Sequence, residues 1–198
     1  MSVTIKDGSG GNVAQVNSKK QLSVISVSET STQNAAREGY AYNINTGLIT
    51  LTSSTASGVI YFKNDEAPIN GESDLVIDSI AVGIGNTGTL ASLSEIRVIA
   101  NPTGGTLISA ATPVDMKANR NFGSSNSLGT TTYSYKGVEG STVTGGNQIA
   151  LFYGGSGRSF FPVDFILPRG SSIAITLDTQ TTAGNTPIYI ALIVHRKF

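Results

Sequence analysis

The sequence predicts an all-β protein: an antiparallel β-sandwich of jelly-roll type, carrying an extended N-terminal arm. Three observations predict it. Apolar residues recur with a period of two in about ten short runs between residues 21 and 195, separated by clusters of Gly, Asn, Ser and Thr, which is the spacing of sandwich strands. Helical composition is confined to one short stretch, and no strand–helix–strand spacing appears, so a parallel sheet is not expected. The composition agrees: 23 of 198 residues are glycine and only 13% are charged, about half the usual share, a bias towards turns and strands.

The elements follow in chain order. Residues 1–20 form a separate arm, two very short extended pieces at 3–5 and 13–16 joined by the glycine turn around Gly8, Gly10 and Gly11. Too few apolar residues are present there to make a core. Such a segment gains order by adding to a sheet edge in its own chain or a neighbour, and Val3, Ile5, Val13, Val16 and Leu22 are the candidate assembly contacts. The same composition fits a frayed terminus. Residues 21–198 form the sandwich domain. It opens with a strand at 22–27 whose two faces are both partly apolar, as under cover on two sides. Residues 32–38, with Ala35 and Ala36, make a helix of about two turns.

Tyr40, Tyr42 and Ile44 alternate with smaller or polar residues, Thr46-Gly47 turns the chain, and 48–52 runs onward, which predicts a hairpin with Gly47 at positive φ. Further strands are expected at 59–62, 75–84 and 96–100. The last is stopped by Asn101-Pro102-Thr103-Gly104-Gly105, and 106–109 restarts extended chain. Residues 117–147 are rich in Asn, Gly, Ser and Thr and read as long ordered loops with one short strand near 131–135. Strands resume at 149–153, 160–167, 171–177 and 187–194, with Pro162 and Pro168 demanding edge or strand-end positions.

Charge and composition exclude whole classes of function. Thirteen Lys and Arg balance thirteen Asp and Glu, so the cationic surplus of a nucleic-acid binder is missing. With no cysteine there is no disulfide, thiolate metal site, iron–sulfur cluster or cysteine nucleophile. The single histidine, His195, cannot by itself make a His-rich metal site. A chain with no net charge lacks colloidal repulsion and tends to associate. Lys6 and Asp7 interrupt the start, no long apolar run follows, and the apolar stretch 188–194 is too short to span a membrane. A soluble protein made in a cytoplasm, with no membrane partner and no cofactor, is therefore expected.

Candidate chemistry is sparse. Asp7-Gly8-Ser9-Gly10-Gly11 superficially matches the loop around a serine nucleophile, but the order differs and a base is wanting; a glycine turn explains it better. Gly154-Gly155-Ser156-Gly157 lacks the nucleophile-elbow spacing and reads as a hairpin loop. Gly83-Ile84-Gly85-Asn86-Thr87-Gly88 fits G-x-G-x-x-G, yet no helix follows to receive a phosphate. Asp65-Glu66 with Glu72 and Asp74 suggests either a calcium loop or solvated loop charges, and it has no EF-hand pattern. A glycosidase carboxylate pair is close only in space and leaves no sequence pattern. Tyr133, Tyr135 and Tyr153 are candidate glycan contacts or partly buried strand residues.

Several turn and strand motifs stand out along the chain. They are Tyr42-Asn43-Ile44-Asn45-Thr46-Gly47 with Ile49-Thr50-Leu51-Thr52, then Ser57-Gly58-Val59-Ile60-Tyr61-Phe62-Lys63-Asn64, and Arg97-Val98-Ile99-Ala100-Asn101-Pro102-Thr103-Gly104-Gly105-Thr106-Leu107-Ile108. Asn119-Arg120-Asn121-Phe122-Gly123-Ser124-Ser125, Leu167-Pro168-Arg169-Gly170-Ser171-Ser172-Ile173 and the opening Val3-Thr4-Ile5-Lys6-Asp7-Gly8 with Val13-Ala14-Gln15-Val16 extend the set over most of the chain. Together these stretches resemble small virion structural proteins of tailed bacteriophages. The resemblance implies a non-enzymatic virion component with a jelly-roll-like body: a capsid decoration (cement) protein or a head- or tail-associated fibre component. It implies a homotrimer, the major capsid protein or other virion proteins as partners, and a location in the virion. In the tail or fibre alternative the partner is a host-surface glycan. No catalytic, cofactor or metal residues come with it.

Overall fold

The computed structural model describes residues 30–52, 55–69, 71–85, 93–110, 112–129, 133–180 and 185–197. The arm and its candidate contacts Val3, Ile5, Val13, Val16 and Leu22, like the strand expected at 22–27, lie outside the described residues. Helix α1 (Ser31–Arg37) comes first, where the alanines predict it. Then come β1 (Ala41–Asn45), β2 (Ile49–Leu51), β3 (Ser57–Lys63), β4 (Leu75–Ile84), β5 (Ser94–Ala100), the one-turn helix α2 (Thr106–Ser109), β6 (Met116–Asn119) and β7 (Tyr133–Lys136). The chain closes with β8 (Asn147–Gly154), β9 (Gly157–Leu167), β10 (Ser172–Asp178) and β11 (Thr186–Arg196).

The strands make two sheets packed face to face, an all-β sandwich. The first runs β6-β1-β11-β4-β9, with β2 also on β11; the second runs β7-β3-β10-β5-β8. Every ladder is antiparallel. From β3 to β5, and again from β8 to β11, each strand lies in the opposite sheet from its predecessor. The core fills the space between the sheets. Ile44, Ile80 and Leu192 reach in from one sheet, and Phe62, Val98 and Ile175 from the other, all fully buried. In β11 the alternation is regular, Ile188, Ile190, Leu192 and Val194 facing inward.

β4 keeps its apolar residues inward by a change of phase. Leu75 and Ile77 face the core, and so do Ile80, Val82 and Ile84, an odd set followed by an even one. The register against both β11 and β9 shifts at Asp78, the residue between the two sets. A bulge is what lets one strand bury both sets.

Three local expectations are corrected. β1 and β2 are not a hairpin: both pair with β11, Asn45 opposite Ala191 and Ile49 opposite Ile188. Four steps on one strand meet three on the other, so Thr46-Gly47-Leu48 is a bulge in one long run alongside β11. Thr46 holds it there, its backbone N–H donating to the Ile190 carbonyl and its hydroxyl accepting from the Ile190 N–H, each at 3.0 Å. Residues 106–109 are helical. The Thr106 N–H donates to the Thr142 hydroxyl at 3.0 Å, so a distant side chain caps the turn, and the turn buries Leu107 on the outer face of the second sheet. Finally, Gly154-Gly155-Ser156-Gly157 joins β8 to β9 across the two sheets and closes no ladder, because β8 takes β5 as partner and β9 takes β4.

Candidate functional site

The two ends of the sandwich differ. One is finished by β6 and β7, four residues each, with Lys117 and Lys136 on them. The other is finished by the long strands β8 and β9, which form a rim. Edge strands expose unpaired N–H and C=O groups, and short charged strands are the usual protection. The rim has little of it. Between Asn147 and Tyr153 no residue is buried, nor is any between Gly157 and Ile166. Ile149, Leu151 and Tyr153 are 47%, 39% and 53% exposed on β8, and Phe160 and Ile166 are 53% and 56% exposed on β9. Phe152 and Phe161 stack at 4.5 Å between ring centroids and close the seam between the sheets. Pro162 lies on this edge strand, as its missing N–H requires.

Beside the rim, on the outer face of the second sheet, is a shallow groove of about 370 Å³ lined by Arg97, Ile99, Thr142, Gly146, Gln148 and Thr176 among others. Cross-strand pairing sets Arg97 between Thr176 and Leu151, and Glu95 between Asp178 and Tyr153. Arg97 donates to the Glu95 carboxylate. The far wall is built by Thr142, Val143, Gly145 and Gly146, and α2 backs it through hydrogen bonds to Thr142. Leu107, Ile108 and Val143 cover Tyr61 and Ala174, a second small core on the outer face. A groove with one guanidinium, one amide and two threonine hydroxyls can hold a polar ligand such as a sugar by hydrogen bonds.

The acidic residues near 65–74 go separate ways. Glu66 is buried, one carboxylate oxygen accepting from the Arg196 guanidinium at 3.0 Å and the other from the Gly129 N–H at 2.8 Å. Asp65 lies 4.0 Å from Arg169 and Asp74 4.0 Å from Lys197. Among the described residues no three His, Asp or Glu side chains converge as a metal site. Solvated loop charge is therefore the wrong description of Glu66, and no calcium loop forms. Sequence distance hid this pair, since its partners are 130 residues apart.

His195 is only 4% exposed. Its Nδ1 lies 3.0 Å from the Asp78 carboxylate, which also accepts a hydrogen bond from the Thr32 hydroxyl at 2.7 Å. The β4 bulge aims Asp78 there, so the histidine ties α1, β4 and β11 together. Of the three candidate tyrosines, Tyr153 and Tyr133 are exposed, Tyr133 with the Lys63 ammonium 5.6 Å from its ring centroid. Tyr135 stacks on Tyr61 at 5.8 Å, and burial pushes its phenol above the ordinary value, with Tyr133 and Tyr61 adding to the rise. Burial likewise raises the phenol of core residue Tyr42, against an opposing pull from Arg196.

Comparison of the sequence with family models gives no match, and comparison with characterised proteins finds no relative. Among the described residues no helix is long and apolar enough to cross a membrane.

Proposed function

We propose that the chain is a non-enzymatic structural protein of a tailed-phage virion, a capsid decoration (cement) protein that binds the shell and stabilises it. The body is read as a jelly roll. The order β1-β11-β4-β9 facing β3-β10-β5-β8 supports this, since it interleaves two Greek keys, with β6 and β7 added at one end. The residues 1–20, with Val3, Ile5, Val13 and Val16, serve as the attachment arm, three copies form the unit of assembly, and the major capsid protein is the principal partner.

The observation that carries the reading is the apolar rim of β8 and β9, whose outer edges pair with no other strand among the described residues. It is surface fit for association, on a molecule whose one histidine is sequestered. Apolar area removed from water stabilises such contacts by about 25 cal/mol per Å² before the costs of association. The test is occupancy on assembled shells of the encoding phage. The full chain is expected to bind and to raise the shell's resistance to heat, and a chain lacking residues 1–20 to bind far less. A full chain that leaves shells bare would overturn the proposal.

A second reading, a tail- or fibre-borne glycan-binding module, is favoured by the groove lined by Arg97 and Gln148, with Glu95 paired to Arg97 and Tyr153 beside Glu95 on the next strand. A glycan array decides it: binding lost in Arg97→Ala supports this reading, and an array without hits removes it.

A further inference from the structure

We infer that the groove on the outer face of the second sheet selects neutral saccharides with adjacent hydroxyls and turns acidic ones away, the selecting element being the Arg97–Glu95 pair with Asp178 beside it. The inference rests on the glycan-binding reading above and names the ligand class of that site. Three observations point to it.

The first is charge. Among the described residues Arg97 is the one ionisable side chain lining the groove. Its guanidinium already donates to the Glu95 carboxylate. Cross-strand pairing sets Asp178 directly opposite Glu95 on the same face, two residues along from the groove residue Thr176. One cation therefore stands with two carboxylates at this end of the groove. A carboxylate, sulfate or phosphate on a ligand meets a guanidinium already neutralised and a surplus of negative charge, a repulsion that an uncharged ligand does not meet. The second observation is hydrogen-bonding character. A guanidinium only donates and a carboxylate only accepts, whereas each sugar hydroxyl does both. Two adjacent hydroxyls can accept from the rest of the Arg97 fork and donate to Glu95 at once. Thr176, opposite Arg97, and Gln148, opposite Ile99, extend the polar set along the groove. The third is shape. Ile99 and Val143 give the groove an aliphatic strip for the C–H face of a sugar ring, and the wall at Gly145-Gly146 has no side chains to close it. At about 370 Å³ the groove is at the small end of ligand sites. No aromatic residue lines it among the described residues, so affinity at one site is modest and is raised by several copies binding together.

An array presenting neutral and acidic glycans at equal, high density tests this with the full chain. Binding is expected to neutral glycans with adjacent hydroxyls, and is expected to be lost after periodate cleaves those hydroxyl pairs. Arg97→Lys keeps the charge but loses the fork, and should weaken neutral-glycan binding by roughly tenfold or more. Glu95→Gln frees the guanidinium and should raise binding to acidic glycans by roughly tenfold or more. Asp164→Asn removes an exposed carboxylate from β9 in the other sheet and should leave the preference as in the parent. Circular dichroism spectra should be the same for all three variants and the parent. A preference for acidic glycans in the parent overturns the inference, as does binding that survives periodate. A folded Glu95→Gln variant that ranks glycans as the parent does, or an equal change in Asp164→Asn, also overturns it. If Glu95→Gln does not fold, the parent's ranking and the periodate result decide. Hits confined to acidic glycans and abolished by Arg97→Ala refute this inference and leave the glycan-binding reading standing, whereas an array without hits removes both.

Discussion

Gly47 shows how one residue fixes a strand path. Its φ is +67°, and a Cβ there would overlap the Asp115 carboxylate. Gly47→Ala is expected to cost about 1–3 kcal/mol in urea unfolding. Positive φ at this glycine is legible in the sequence. That it serves a bulge and not a hairpin is not, because the partner is β11, over 140 residues away. Buried polar residues are equally mute in sequence. Glu66 and Arg196 lose exposure together, and Glu66→Gln, which leaves the guanidinium without its counter-charge, should cost about 3 kcal/mol by the same measurement. Tyr42 predicts a pH effect. Its folded-state pKa is raised by burial, so above the ordinary value of about 10 the unfolded chain releases the phenol proton first. Its contribution to stability is complete below that pH and is lost as pH rises through the raised value. Alkaline titration of stability should therefore fall less steeply in Tyr42→Phe than in the parent; identical slopes would remove Tyr42 from the account.

At the scale of elements, the strands rich in β-branched residues were readable almost to the residue, β4 at Leu75–Ile84 being the clearest. Two short elements were not, although α1 and β7 lie where the sequence predicts them. Helix α2 exists because Thr142 caps it and the outer face of β3 and β10 receives Leu107, neither of which is local. Truncation by Leu107→Ala should cost about 2–4 kcal/mol and loosen the groove wall; hydrogen exchange should rise in 104–109 and 141–144 together. β6 escaped notice since Met116, Lys117, Ala118 and Asn119 carry no buried alternation; it is recruited by pairing with β1. The glycine loop after β8 follows the same rule, its strands being claimed by other neighbours.

For the whole molecule, the two-sheet architecture follows from the apolar alternation and the scarcity of helix pattern. The functional surface was legible only in part. Edge placement of β9 could be read from Pro162, but the apolar rim could not, because Ile149, Leu151, Phe160 and Ile166 look like core residues until the sheet order shows which strands lack a neighbour. A density map of the assembled particle tests the role of this rim most directly. The account predicts a two-sheet body on the shell lattice, its β8–β9 rim against a neighbouring protein. Shells bare of that body, or bodies whose rims face bulk solvent, would contradict it.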